Sequence, residues 1–244
     1  MPRSAEAAGG RALRLLPLLL AAGLTSCSDH AKTPAYVESA GRPRPAQGTP
    51  VSRPDDWRLA FVDVETTGLV PGWHEMIDIG VVLTDLEGAP LDTLFLRIQP
   101  EHPERAGEGA LQVNAFDEKR WRSLGALPAR VAVDSLLRFR ERVAAGKSVI
   151  LVALNSQFDA AFLDHLFRGS GRTWREVFHH YVMDLPSMAW SLGHRDLTGK
   201  GLTRKLGVPN EPQVAEQHTG LTGALLDARL YRALVADGAR SRDH

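Results

Sequence analysis

Between positions 58 and 98 three apolar runs follow one another with only short turns between them. Arg58-Leu-Ala-Phe-Val-Asp-Val reads as a strand that stops at Gly68 and the Pro71-Gly72 turn, Met76 to Thr84 (MIDIGVVLT) as a second, and Thr93 to Ile98 (TLFLRI) as a third. Connections this short cannot hold a crossover helix, so the spacing predicts an antiparallel start to a sheet. Beyond a loop rich in Glu, Gly and Pro, residues 131–145 carry apolar side chains at 133, 136, 137, 139 and 143, the period of a helix packed on one side. Val149 to Ala153 (VILVA) reads as a buried strand and Phe158 to Phe167 as a helix. Val182 precedes a helix over 185–192, and Gly223 to Val235 closes the domain as a helix with Thr222 as its candidate N-cap. The sum is an α/β domain, a central mixed sheet with helices on its faces. No repeat period is visible.

With 43% hydrophobic residues in a chain of 244, a sizeable core is available and gross disorder is excluded for most of the length. Basic and acidic residues balance at 29 each, so no global positive field draws the chain to nucleic acid, and any such affinity must come from a local site. The single cysteine, Cys27, excludes a disulfide framework and every multi-cysteine zinc pattern.

That cysteine ends an address. Arg3, Arg11 and Arg14 precede the apolar run LLPLLLAAGL, which has the order of a secretory signal and, with Pro17 inside it, is too short to span a bilayer. Leu24-Thr-Ser-Cys27 resembles the lipobox of bacterial lipoproteins, and the resemblance implies that Cys27 carries lipid and anchors the chain to a membrane. Residues 28–56, with five prolines and two glycines, read as a tether. The expected organisation is therefore a signal over 1–27, a tether over 28–56, a folded domain over 57–237 and a short tail over 238–244. The expected location is the cell envelope, on the periplasmic or extracellular side. The other reading is a start codon placed too far upstream, which would make the protein cytoplasmic.

Asp63 and Glu65 stand two apart at the end of the first strand, so both side chains point to one face while Val62 and Val64 point to the other. Two carboxylates side by side on a half-buried strand repel each other and raise each other's pKa unless a cation sits between them; hard oxygen ligands of this kind suit Mg²⁺ or Mn²⁺. A bare Asp-x-Glu on a strand is more often a polar face meeting water. Here the six residues Asp63-Val-Glu-Thr-Thr-Gly68 resemble the first motif of the DEDD, or DnaQ-like, 3′–5′ exonucleases, the superfamily of polymerase proofreading domains, among them the exonuclease subunit of bacterial DNA polymerase III, and of RNase T. Asn155-Ser-Gln-Phe158-Asp159 looks like the second motif, Leu226-Asp227-Ala228 like the last aspartate, and Gln112-Val-Asn114-Ala-Phe116 like the short segment carried between the first two. The likeness covers roughly residues 57 to 237, in the family's order.

The resemblance implies a ribonuclease H-like fold and a metal-dependent 3′–5′ exonuclease acting on terminal phosphodiesters of DNA or RNA with a free 3′ end. In it, Asp63, Glu65, Asp159 and Asp227 hold two Mg²⁺ or Mn²⁺ ions, the backbone at Thr66 and Thr67 lines the terminal nucleotide, and Asn155 joins the substrate site. One departure stands out. The His-type branch has a histidine five residues before the last aspartate, where this chain has Thr222, and the Tyr-type branch would place a tyrosine at Gly223. The nearest candidate base is His218, nine residues before Asp227. Were 218–227 one helix, nine steps of 100° would turn His218 away from Asp227. With Thr222 as the cap and 218–221 a loop around Gly220, the imidazole could fold back over the metals. A second departure is Leu154, where family members often carry a histidine. Loss of the usual histidine leaves a second reading open, a nucleic-acid binding module with a degraded site.

Other signals are weaker. Gly199-Lys200 lacks the glycine of a phosphate loop, and His74-Glu75 lacks the second histidine of a zinc protease. Asp78 and Asp184, at strand ends, read as structural. Arg195, Lys200, Arg204 and Lys205 read as a solvated face, and as the best local candidate for contacts to a nucleic-acid backbone. Nothing in the sequence points to a protein partner.

Overall fold

The computed structural model describes residues 48–241; the signal, Cys27 and most of the tether lie outside them. The three apolar runs form β1 (Trp57–Thr66), β2 (Met76–Thr84) and β3 (Pro90–Gln99). β1 pairs antiparallel with β2, Asp63 opposite Gly80 and Glu65 opposite Asp78, and β2 pairs antiparallel with β3. Further along come α1 (Glu108–Asn114), α2 (Glu118–Ser123), β4 (Leu127–Pro128), α3 (Ala129–Ala144), β5 (Ser148–Ala153), α4 (Ser156–Gly169), β6 (Val182–Asp184), α5 (Leu185–Ser191), α6 (Gly199–Leu206) and α7 (Gly220–Arg240). The sheet order is β4-β3-β2-β1-β5-β6, with β5 parallel to both β1 and β6. This is the mixed sheet the sequence predicts.

Alternation along β1 sorts its side chains onto two cores. Ala60, Val62 and Val64 pack with Val133 and Leu136 of α3 and Phe162, Leu163 and Phe167 of α4. Trp57, Leu59 and Phe61 pack on the other face with Leu185 of α5, Leu202 of α6 and Leu226, Leu230 and Leu234 of α7. Each fully buried Leu or Phe contributes on the order of 1.5–3 kcal/mol. The helix α7 lies unusually close to the sheet: a side chain at Gly80 would strike the backbone of Gly220 and Leu221.

Several boundaries differ from the sequence expectation. The loop after β3 contains α1 and α2, too short to show a period; they are held instead by a small core of Ile77, Phe116 and Trp121, whose indole donates to the Ile77 carbonyl at 2.8 Å. β3 begins at Pro90, three residues early; Pro90 and Leu91 are exposed and Asp92 breaks the apolar run. The segment 199–206, read as a charged surface, is a helix that buries Gly201, Leu202 and Thr203 while Arg204 and Lys205 face water. Thr222 is not the N-cap of the last helix. Thr219 is: its hydroxyl accepts from the Thr222 amide, and the Thr222 hydroxyl accepts from the Thr219 amide at 3.1 Å, a reciprocal capping box. The helix also runs to Arg240, past its expected end at Val235.

Candidate active site

The pairing of β1 with β5 stops at Phe61 and Val152, and the backbone amides beyond that point need other acceptors. Two carboxylates supply them. The Val64 amide donates to Asp159 Oδ1 at 3.1 Å, and the Leu154 amide, one residue past β5, donates to Asp227 Oδ2 at 2.8 Å. The end of the parallel pair thus gathers Asp159 from the first turn of α4 and Asp227 from α7 onto the strand that carries Asp63 and Glu65. Asn155 makes the sharp turn into α4 with a left-handed backbone (φ 72°), a conformation that asparagine tolerates better than most residues, and its side chain is exposed. Asp63 lies against α7 at Gly223, where any side chain would collide with its carboxylate. A tyrosine there is sterically excluded, which accounts for the glycine.

Asp159 and Asp227 are each 2% exposed and Glu65 6%, while Asp63 is half-buried. The Asp63 carboxyl is raised well above the usual range, first by burial and then by Asp159, Asp227, Glu65 and Glu211. Burial, with Asp159, Glu211 and Asp184, likewise raises Asp227 against the pull of the Leu154 amide. Burial pushes Asp159 up to about 8, although two backbone hydrogen bonds oppose it. Every charge that perturbs Asp63 is another carboxylate.

Among the described residues no three acidic or imidazole side chains are gathered tightly enough to enclose an ion as they stand. The chemistry of the donors nonetheless fits a divalent cation. The set is all hard oxygen, two of its members are fixed by backbone amides, and the charges acting on Asp63 and Asp227 are those of other carboxylates. Asp63, Glu65, Asp159 and Asp227 are the residues that would hold it.

His218 reaches this cluster from outside the helix, as the second sequence alternative has it, but with Thr219 rather than Thr222 as the cap and 220–221 inside the helix. It stands just before the cap, in extended backbone (φ −78°, ψ 113°). Its Nε2 lies 3.1 Å from Glu65 Oε1 and its Nδ1 3.4 Å from Glu211 Oε2. The hydrogen bond to Glu65 is the largest cause raising the imidazole to about 9; burial opposes it, and the charges of Glu65 and Glu211 and the Pro212 backbone add to it. Arg120 steadies the turn before it, donating to the Glu216 carbonyl at 3.4 Å. Sequence reasoning missed Glu211, which sits in a proline-flanked loop where no spacing rule connects it to His218.

The remaining predicted residues fall around this centre. The Thr66 hydroxyl donates to the Gly68 carbonyl at 2.7 Å, and the Thr66 carbonyl accepts from Asn114, whose amide also reaches Glu65 Oε2 at 3.3 Å. The Thr67 amide donates to the Glu75 carbonyl and the Thr67 carbonyl accepts from the Gly107 amide, both at 2.8 Å, so this peptide braces the β1–β2 loop. Asp78 and Asp184 are anchors. Asp78 accepts from the Gly220 amide at the start of α7, and Asp184 caps α5 through Ser187 and also accepts from Ser156. The Leu154 side chain packs into the α5–α7 core. Arg195 donates to the carbonyls of Trp190 and His194 at the end of α5.

No protein-family model matches the chain. Among curated proteins it is similar to the 3′-5′ DNA exonuclease Cap18 of Escherichia coli, 25% identical over 191 residues, which cover 75% of this chain and 94% of that one. Among solved structures it is similar to the zinc-bound complex of Escherichia coli exonuclease I with single-stranded DNA, with a TM-score of 0.62 and 15% identity over 77% of this chain. It spans only 42% of exonuclease I. The nuclease domain of 3'hExo, a DEDDh family member bound to rAMP, matches with a TM-score of 0.62 and 16% identity over 74% of this chain and 92% of that one. The fold is that of the ribonuclease H-like exonucleases.

Proposed function

We propose that the chain is a metal-dependent 3′–5′ exonuclease that removes nucleotides from a free 3′ end of DNA or RNA. One observation carries the reading: the end of the parallel strand pair collects Asp63, Glu65, Asp159 and Asp227 into one set in which His218 answers Glu65 alone, while the charges acting on Asp63 and Asp227 are other carboxylates. The similarity to Cap18, a 3′-5′ DNA exonuclease, supports it. Two Mg²⁺ or Mn²⁺ ions bound there would supply a more acidic attacking water and charge stabilisation at the leaving 3′ oxygen.

His218 takes the water's proton at Nε2. In the geometry described, that nitrogen is engaged by Glu65, so the imidazole must release the carboxylate before it acts. Neutralising Glu65 removes the largest cause that raises His218 and brings it back towards the ordinary histidine range near 6.5. Thr222 cannot substitute, because its hydroxyl is committed to the capping box and donates to the Thr219 carbonyl at 2.8 Å.

That commitment favours a second reading, a binder with a degraded site. Release of mononucleotides from 3′-labelled single-stranded DNA and RNA, in Mg²⁺, Mn²⁺ or EDTA, separates the two. The exonuclease requires metal-dependent release that disappears in Asp63→Ala and falls about 10²- to 10⁴-fold in His218→Ala. Full activity in Asp63→Ala would remove the acid set from the mechanism, and tight binding without release in any metal would establish the binder.

The address belongs to the same proposal. The Arg-led apolar run and Cys27 are read as a lipoprotein signal that would tether the domain at the cell envelope. Labelled palmitate should enter the full-length chain in a bacterial host and be absent from Cys27→Ser; equal labelling, or none in either, refutes the anchor.

A further inference from the structure

The loop between β1 and β2 exposes Leu69 (79%), Val70 (55%) and Trp73 (55%), more apolar surface than so short a turn needs. The Arg105 guanidinium lies over the Trp73 ring, 4.4 Å from its centroid. The two side chains come from separate segments that are locked together. The Glu75 carboxylate accepts from the amides of Glu101 and His102, at 3.1 and 2.7 Å, and the Thr67 carbonyl accepts from the Gly107 amide at 2.8 Å. The loop starts directly at the acid set, since Thr67 is two residues after Glu65. Trp73 is at most about 10 Å of chain from Met76, the partner of Thr66 in the sheet.

A second exposed pair shows what is particular about this one. Arg195 lies over the Trp190 ring at 4.0 Å, and Trp190 is 54% exposed. There, however, the guanidinium is occupied with the carbonyls of Trp190 and His194 at the end of α5. Besides its stacking on Trp73, Arg105 makes among the described residues only a long ionic contact, 3.9 Å to the exposed Glu104, and with 25% of its side chain exposed its outer donors can still reach an anion. A half-exposed indole with a guanidinium over one face, on the loop that leaves the strand of Asp63 and Glu65, is a combination that holds unpaired nucleotides: the uncovered side of the ring stacks a base and the cation takes a phosphate.

We propose that Trp73 and Arg105 form a platform for single-stranded nucleic acid, holding the unpaired nucleotides upstream of the terminal one. The platform rests on the exonuclease reading for its neighbour and makes a 3′ single-stranded tail the substrate class of the site. A base-paired end offers no free base face to Trp73.

Binding of fluorescein-labelled 12-mers of thymidylate and of uridylate to the full-length chain in EDTA, measured by polarisation across a salt series, tests it. Trp73→Ala should weaken binding about 10-fold or more, and Trp73→Phe should recover most of the loss. Arg105→Ala should flatten the dependence of log K on log salt by about 0.7. Trp190→Ala should bind as the parent does. A loss confined to one 12-mer identifies DNA or RNA as the strand held. Unchanged binding in Trp73→Ala, or an equal loss in Trp190→Ala, overturns the platform. The parent hydrolysing 3′ ends while Trp73→Ala binds normally would sink the platform alone. Binding through Trp73 without hydrolysis in Mg²⁺ or Mn²⁺ would sink the exonuclease and leave the platform standing, and no binding by the parent would sink the platform outright.

Discussion

Two sets of buried and half-buried acids lie where the sheet meets its helices, and they are built differently. Asp78 and Asp184 each stand where a strand meets a helix and are answered by the protein's own donors. Burial, with the charge of Glu65, pushes Asp78 up to about 7 against the pull of the Gly220 amide, Arg97 and His218; its Oδ1 takes the Gly220 amide, while its buried Oδ2 has no hydrogen-bond partner among the described residues. Asp184 takes the amides of Ser156 and Ser187 and the Ser187 hydroxyl. Asp159 and Asp227 are nearly as deeply placed as Asp78, and Asp63 is half-buried as Asp184 is, but the charges around Asp63 and Asp227 are other carboxylates. Both sets cost desolvation. In the first the compensation that exists comes from backbone and hydroxyl donors of the protein, and the acid serves as an anchor. In the second it is incomplete without an external cation, and the excess charge is the part available for chemistry.

The sharpest way to break this contrast is to remove charge from the second set while keeping its shape. Asp159→Asn can still accept from the Val64 amide, so the turn into α4 should survive. Turnover in Mg²⁺ and Mn²⁺ should fall below detection, while above about pH 8, where Asp159 would ionise, the melting temperature in EDTA rises because a repelling charge has gone. A variant that loses activity and also melts lower in EDTA would place Asp159 among the anchors. For the first set the expectation reverses. Asp78→Ala leaves the buried Gly220 amide without its acceptor, which costs about 2 kcal/mol, or roughly 4–8 °C in a domain of this size. Asp78→Asn keeps an acceptor and should melt near the parent. Equal melting of the alanine and asparagine variants would show that the Gly220 hydrogen bond does not anchor α7.

The two sets also differ in how far they could be read from sequence. The antiparallel start, the strand over 149–153 and the four acids were legible because apolar period and a contiguous six-residue motif are local signals. The structural role of Asp78 and Asp184 was expected from their positions at strand ends. The way His218 enters was not legible. Whether it could reach Glu65 depended on where α7 begins, and Thr219 and Thr222 are equally good caps by composition. The close approach of Gly80 and Gly220, visible only once strand and helix are packed, brings the start of α7 onto the sheet. Glu211 and the Trp73–Arg105 pair were hidden for the same reason, since each is a contact between segments that no spacing rule connects.

A smaller effect follows from pH, and it sharpens the comparison without any mutation. Asp159 is pushed up to about 8 by burial, whereas an unfolded aspartate titrates near 4. His218 is raised to about 9, chiefly by its hydrogen bond to Glu65, from an unfolded value near 6.5. For both groups the folded chain holds a proton that the unfolded chain has already lost, over roughly pH 4–8 for Asp159 and 6.5–9 for His218. Metal-free stability must therefore fall as pH rises through these windows. In EDTA the melting temperature should drop by more than about 3 °C between pH 6 and pH 8.5, the change that about 1 kcal/mol makes in a domain of this size. Saturating Mn²⁺ should flatten the slope, because a bound cation favours the deprotonated acids and removes the advantage of the extra proton. Asp159→Asn in EDTA should retain only the part due to His218 and the other acids. A melting temperature that is level from pH 6 to pH 8.5 in EDTA would mean that the acid set is already neutralised from within, and the difference between the two sets of acids would disappear.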